Sequence, residues 1–192
     1  RLTFDPAQDQ APVGSPDGSR FAFYSGRSNL GTLYQKSAGG SGDEELLVKT
    51  DVRARQSPTD WSPDGRFILF ESYDPSTNMD LYLLPMEGDR KPTAFLRTPF
   101  NERHARFSPD GKWIAYSSDE TGTFEVYVQR FPASGVKSRV STNGGIEPAW
   151  RREGKELFYL SDGRFMAVDV DTRSSTPEVS RPKAVVIGVS LP

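Results

Sequence analysis

The chain has 192 residues, a formal net charge of −2, no cysteine and a single histidine, His104. This composition excludes disulfide frameworks, cysteine nucleophiles and metal centres built on several histidines. A near-neutral charge without a basic stripe argues against nucleic acid, and no apolar run reaches the length of a membrane span. We therefore expect no nucleic-acid partner and no membrane contact by this segment.

The first predicted element is a tight turn, Ser-Pro-Asp-Gly, which recurs along the chain. It ends at Gly18, Gly65 and Gly111, and a degenerate copy, Arg-Arg-Glu-Gly, ends at Gly154. Successive glycines are 47, 46 and 43 residues apart, and a period in the forties indicates a tandem array of supersecondary units. Proline suits the second position of a type I turn, and glycine supplies the positive φ that closes a three-residue hairpin loop.

Each turn joins two predicted strands, and two further strands follow. The first strand ends next to the turn, at an aromatic residue in three repeats. The second strand is apolar on both faces, which predicts a strand buried between two packed layers. Its most regular positions are Phe21 and Phe23, Ile68 and Phe70, Ile114 and Tyr116, and Leu157 and Tyr159. The third strands are predicted at 33–35, 81–83, 126–128 and 166–168, and the more polar fourth strands at 45–48, 93–96, 138–141 and 184–187.

Four antiparallel strands per repeat predict an all-β fold, a β-propeller with four four-stranded blades in this chain. We expect one domain, with blades at approximately 5–50, 51–98, 99–142 and 143–192, and residues 1–4 as a strand of a preceding or closing blade. Three arrangements stay open. Residues 1–4 could close a four-bladed ring, a homodimer could complete a larger ring, or the chain could be part of a longer propeller.

The repeats resemble the TolB-like propeller repeat, also called the WD40-like Pro-Asp repeat. The match is closest in Thr59–Ser72 and Ala105–Ser118, and it departs at Gly14, where an aromatic residue is usual, and at the fourth turn. Phrases such as Glu125–Gln129 are similar to the C-terminal propeller of bacterial receptor-like serine/threonine kinases. The resemblance implies a sensory or interaction domain without a cofactor, located outside the cytoplasm in the periplasm.

The candidate binding surface lies where each repeat enters its first strand, because in propellers these loops line the mouth of the central channel. Mixed charge with several arginines suits recognition of a protein or peptide. The residues that we select are Arg53, Arg55, Asp60, Arg103, His104, Arg106 and Glu147.

We expect no catalytic, cofactor-binding or metal-binding residues in this chain. A Ser-His-Asp triad would require His104, and no Gly-x-Ser-x-Gly elbow is present. The oxygen-rich segment Asp74–Asp80 superficially resembles a calcium loop, but it lacks the central glycine and the distal glutamate. The predicted function is a non-catalytic interaction or sensor domain that binds a protein, peptide or small ligand. The alternative is the accessory, substrate-gating propeller of a prolyl-oligopeptidase-like hydrolase whose catalytic domain lies outside this chain.

Overall fold

Every regular element is a β-strand in the part of the chain that the computed structural model describes, residues 3, 5–27, 31–48, 55–133 and 135–185. The strands of the first half are β1 (Asp9–Gly14), β2 (Arg20–Ser25), β3 (Thr32–Ser37), β4 (Glu45–Leu46), β5 (Gln56–Trp61), β6 (Phe67–Asp74), β7 (Asn78–Pro85) and β8 (Thr93–Leu96). Those of the second half are β9 (Glu102–Phe107), β10 (Trp113–Ser118), β11 (Glu125–Arg130), β12 (Lys137–Arg139), β13 (Ile146–Trp150), β14 (Glu156–Ser161), β15 (Arg164–Asp171), β16 (Glu178–Val179) and β17 (Lys183–Ala184).

Consecutive strands form four antiparallel sheets, β1–β4, β5–β8, β9–β12 and β13–β17, which we call blades 1 to 4. The predicted all-β fold of four-stranded antiparallel blades is thereby confirmed. Blade 4 differs in detail, because β15 pairs with both β16 and β17 in place of one outer strand. Pro182 separates these two short strands, and proline has no N–H to donate to a sheet ladder.

Neighbouring blades meet through their first strands, since β1 contacts β5, β5 contacts β9 and β9 contacts β13. Among the described strands, none of blade 4 pairs with one of blade 1, so the sheets form a partial ring. The strand predicted at residues 1–4 lies outside the described residues except for Thr3, and the strand predicted at 184–187 is described only as far as residue 185.

The hydrophobic core lies between the blades, in three separate clusters. Ile68 and Phe70 face blade 1, whereas Leu69 and Leu81 face blade 3, and all four side chains are almost fully buried. The second strand of blade 2 is therefore apolar on both faces because each face covers a different neighbour. Full burial of each such side chain contributes about 1.5–3 kcal/mol.

The four repeated turns lie together at one end of the blades. Their glycines have φ between 70° and 76°, as the hairpin prediction required. A methyl group added to Gly65 would contact the ring of Pro16 at 3.7 Å, and Gly111 and Pro63 are related in the same way. Each of the first three turns thus packs its proline on the turn glycine of the next blade. We call this end the turn face, and the opposite end, where the first strands begin, the mouth face.

Candidate partner-binding face

A β-bulge interrupts the first strand of each blade at nearly the same position. Three of the bulges contain a residue with positive φ, namely Ala11 (49°), His104 (56°) and Glu147 (55°). The matching residue of blade 2 is Pro58, whose ring fixes φ at a negative value. A bulge redirects the side chains around it, and strained backbone of this kind clusters at functional sites.

The bulges of blades 3 and 4 bring charged side chains together around His104. The backbone N–H of His104 donates to Glu71 Oε1 at 2.6 Å, and Arg103 Nε lies 3.7 Å from Glu71 Oε2. Glu71 is buried, whereas Arg106 and Glu147 are exposed. We call these five residues the mouth cluster.

Burial lowers the pKa of His104 from its usual 6.5. The carboxylates of Glu71 and Glu147 act in the opposite direction, and the guanidinium groups of Arg103 and Arg106 add to the lowering. His104 is therefore neutral at pH 7, with an imidazole that can donate or accept a hydrogen bond.

Two nitrogen atoms of the mouth cluster are buried without a hydrogen-bond partner among the described residues, His104 Nδ1 and Arg103 Nε. Buried polar atoms are nearly always paired, so an unpaired group in a native fold calls for a physical explanation. Arg103 Nε faces the Glu71 carboxylate in an ion pair. The Arg103 side chain is 43% exposed, so the outer part of its guanidinium group is accessible to a ligand oxygen.

The other selected residues lie elsewhere. Asp60 is partly buried between blades 2 and 3, where Oδ2 accepts the N–H of Phe107 at 2.7 Å and Oδ1 accepts the N–H of Trp61 at 2.9 Å. Burial raises the pKa of Asp60. Arg55 is exposed and lies 5.3 Å from the ring centre of Tyr24 in blade 1. Arg53 lies outside the described residues.

The structure thus gathers four of the seven selected residues, Arg103, His104, Arg106 and Glu147, in the mouth cluster. Sequence reasoning missed Glu71, the carboxylate that holds the backbone of His104. Its signal was a charged residue that directly follows the apolar run Phe67–Phe70 in the second strand. The corresponding residues of the other repeats are Tyr24, Ser117 and Leu160.

Three exposed aromatic side chains also lie on the mouth face, and the sequence did not single them out. Tyr73 is the penultimate residue of the second strand of blade 2, Phe100 precedes the first strand of blade 3, and Phe165 is the second residue of the third strand of blade 4. Their exposed fractions are 42%, 39% and 48%. Exposed aromatics next to arginines form the type of surface that binds other proteins.

The turn face carries open grooves instead of a comparable cluster. Grooves of about 390, 680 and 720 Å³ lie between successive turns, lined in each case by a turn proline and the glycine of the next turn. Because the grooves recur between all pairs of neighbouring blades, they follow from blade packing and indicate no particular ligand.

The segment that resembled a calcium loop is the hairpin between β6 and β7. Asp74 Oδ1 accepts the N–H and the hydroxyl of Ser76 at 2.8 and 2.6 Å, and Asn78 has φ of 75°. This is the hydrogen bonding of an Asx turn.

Within the described ranges there is no group of three or more histidine or carboxylate side chains suited to a metal ion. The same ranges contain no helix that could cross a membrane.

Comparison with known proteins identifies the fold. The putative TolB from Agrobacterium tumefaciens superposes with a TM-score of 0.73 at 19% identity, over 91% of this chain and 65% of that one. TolB from Acinetobacter baumannii gives 0.72 at 18%, over 93% and 44%. This chain has the TolB-like propeller fold. It spans less than two thirds of either TolB chain, and no family model matches it.

Two peptidases are also similar to this chain. Dipeptidyl-peptidase 5 of Porphyromonas gingivalis is 28% identical over 115 residues, which cover 53% of this chain and 17% of the peptidase. The structure of a puromycin-hydrolyzing peptidase from Mycobacterium tuberculosis superposes with a TM-score of 0.68 at 14% identity, over 94% of this chain and 31% of that one. The similarity to these much longer chains concerns the propeller fold.

Proposed function

We propose that this TolB-like propeller is a non-catalytic interaction or sensor domain that binds a protein or peptide partner at its mouth face. The observation that carries the proposal is the mouth cluster, in which His104 Nδ1 has no hydrogen-bond partner among the described residues and the side chain of Arg103 is partly exposed. Their strained, bulged strand is fixed by Glu71, so the cluster is preorganised for a ligand.

The surroundings of the cluster favour a partner with acidic or carbonyl oxygen atoms and apolar side chains. Arg103 and Arg106 can donate to such oxygens, and guanidinium groups bind carboxylates with two parallel hydrogen bonds. Phe100 and Tyr73 offer aromatic area on the same face. Arginine and aromatic residues together contribute most of the binding free energy in many protein interfaces.

The bonding of His104 supports a binding role over a catalytic one. No serine or threonine hydroxyl is hydrogen-bonded to its imidazole among the described residues, and Nδ1 has no carboxylate partner. A hydrolytic triad needs both contacts.

As a further part of the proposal, the TolB-like fold supports a periplasmic location, and the exposed Phe165 supports a homodimer that completes a larger ring.

Selection of binding peptides tests the proposal even while the natural partner is unidentified. A random peptide library displayed on phage is selected on the wild-type chain, and the enriched peptides are then measured against Arg103→Ala and Arg106→Glu. We expect both substitutions to weaken binding by about tenfold or more, as for hot-spot residues. The matched control is Arg173→Ala, because Arg173 is equally charged, highly exposed and located on the turn face. Equal binding by all four proteins would refute the mouth face as the binding surface.

A second candidate is the substrate-gating propeller of a peptidase, favoured by the 28% identity to dipeptidyl-peptidase 5. In that case, the native gene encodes a Gly-x-Ser-x-Gly elbow in the same polypeptide. Sequencing the gene on both sides of this segment decides between the candidates. A kinase or DNA-binding domain would support the sensor, and a serine hydrolase domain the gate.

A further inference from the structure

A polar contact lies where the third strand of blade 1 meets the first strand of blade 2. Between blades 1 and 2, the hydroxyl of Thr32 donates to Gln56 Oε1 at 2.9 Å. Thr32 directly precedes the buried Leu33, and Gln56 opens the first strand of blade 2. Between blades 2 and 3, these two positions are occupied by Asp80 and Glu102. A neutral donor–acceptor pair is therefore replaced by two carboxyl groups.

Both carboxyl groups are almost completely removed from solvent, with exposed fractions of 0% for Asp80 and 2% for Glu102. Each has one oxygen satisfied, because Thr77 donates to Asp80 Oδ2 at 2.7 Å and Thr98 donates to Glu102 Oε1. The other two oxygens, Asp80 Oδ1 and Glu102 Oε2, have no hydrogen-bond partner among the described residues.

The neighbouring charges do not neutralise this pair. Arg97 Nε lies 3.9 Å from Asp80 Oδ2, but the Arg97 side chain is half exposed and bonds to Asp74. The remaining groups that act on the pair are acidic or neutral. Asp74, Tyr82 and the backbone N–H of Thr98 act on Asp80. Asp119, which is bonded to Asn101, Glu120, which is paired with Lys137, and the buried Tyr116 act on Glu102. Burial, with the charge of Asp80, raises the pKa of Glu102 to about 7, and burial raises that of Asp80 as well.

We propose that Glu102 holds a proton in the Asp80–Glu102 pair, and that this proton locks blade 3 against blade 2. The protonated Glu102, at the position of Gln56, is the donor, and Asp80, at the position of Thr32, is the acceptor, so the hydrogen bond runs in the opposite direction to that between Thr32 and Gln56. Release of the proton to solvent leaves two buried carboxylates at one interface, and their repulsion loosens the contact between the blades.

A proton fits this position better than a metal ion does. Calcium takes six to eight oxygen ligands and magnesium six, whereas the pair offers two unpaired oxygens in a position closed to solvent. The hydroxyls of Thr77 and Thr98 already donate to the carboxyl groups. A single proton needs one donor and one acceptor oxygen, and the pair supplies both.

The direction of the pH effect follows from proton binding. Glu102 has a pKa of about 7 in the folded chain, against its usual 4.5. Between these values the folded chain binds more protons than the unfolded chain, so stability falls as pH rises through about 7. His104 acts in the opposite direction, because its pKa is lowered and it favours the folded chain as pH rises towards 6.5. A variant that removes only the carboxyl group of Glu102 is therefore needed to separate its effect on stability from that of His104.

The neighbouring repeat supplies that variant. Glu102→Gln introduces the residue that blade 2 carries at this position, and Asp80→Thr with Glu102→Gln transplants the whole Thr32–Gln56 contact. From about pH 5 to about pH 8 we expect the Tm of the wild type to fall by roughly 5–10 °C relative to either variant. The control Glu120→Gln removes a nearby acid outside the pair and should keep the wild-type dependence. Parallel curves for the wild type and Glu102→Gln would overturn the proposal.

A direct titration keeps the proposal testable if the variants fold poorly. The side-chain carboxyl carbon of Glu102 is followed by ¹³C NMR in the wild-type chain, and a midpoint above about 6 supports a held proton, whereas one below about 5 contradicts it. Addition of calcium chloride at the alkaline end of the range completes the test. A rise in Tm for the wild type but not for Glu102→Gln would mean that the pair shares a cation, and would overturn the proposal.

Discussion

Asp60 of blade 2 accepts a hydrogen bond from the backbone N–H of Phe107 in blade 3, with 2.7 Å between Oδ2 and N. The same carboxylate accepts the N–H of Trp61 through its other oxygen. One side chain thereby fixes the first strands of two blades relative to each other. Asp60 belongs to the framework that positions the mouth cluster, although it was selected from the sequence as a binding residue.

We predict that Asp60→Ala lowers the free energy of unfolding by about 1–3 kcal/mol, because it leaves the N–H of Phe107 buried and unpaired. Asp60→Asn should cost less, since the amide oxygen can still accept one of the two hydrogen bonds. Urea unfolding followed by circular dichroism measures both. The exposed Asp89→Ala is the control and should be close to neutral. An Asp60→Ala variant as stable as this control would contradict the assignment.

The turn glycines give a second prediction. Gly111 has φ of 70°, and Gly111→Ala should destabilise the chain by about 1–2 kcal/mol, because a Cβ is disfavoured in this conformation. Gly111→Asn should cost less, since asparagine tolerates positive φ. The comparison is Gly39→Ala, at a turn glycine without positive φ and with space for a methyl group. Thermal unfolding distinguishes the three, and equal losses at Gly39 and Gly111 would argue against backbone strain as the cause.

The serine of the turn has a structural role that the repeat pattern alone did not reveal. Ser108 Oγ accepts the N–H of Trp113 at 3.0 Å and donates to Asp110 at 2.6 Å. We predict that Ser108→Ala costs about 1–3 kcal/mol, because Trp113 loses a buried hydrogen bond. Ser108→Thr keeps the hydroxyl and should retain most of the stability. A Ser108→Ala variant as stable as the wild type in chemical denaturation would contradict this role.

The mouth cluster predicts opposite shifts in the pKa of His104. Arg103→Ala should raise it, because a neighbouring positive charge is removed, and Glu71→Gln should lower it further, because a stabilising negative charge is lost. A titration of the imidazole by NMR measures both. His104 is the only histidine, so its signals need no assignment. The turn-face variant Arg173→Ala should leave the midpoint unchanged, and shifts of the same sign at Arg103 and Glu71 would contradict the arrangement.

The fold could be predicted from the sequence because its determinants are local and repeated. The Ser-Pro-Asp-Gly turns specify hairpins at a fixed period, and residues such as Ile68 and Leu69 show that the second strand is covered on both sides. The outer strands were less well predicted. They are short and polar, and in blade 4 Pro182 divides the last one in two.

The candidate site could be predicted only in part, because contacts between blades have no signature in a single repeat. Arg103 and His104 were selected from their place before a first strand. Their contact with Glu71 depends on the packing of blade 3 against blade 2, and so does the burial of Glu102. Arg55 and Arg103 occupy similar places in the sequence, but one lies against Tyr24 and the other against a carboxylate.

The location of the core between the blades has a consequence for folding. Each of the three hydrophobic clusters takes its side chains from two adjacent sheets. A single excised blade would therefore expose to solvent the apolar side chains that are buried against its neighbours. In repeat proteins much of the stability comes from the interfaces between neighbouring units. We therefore expect a pair of neighbouring blades to be the smallest unit that folds cooperatively, although the sequence repeats one blade at a time.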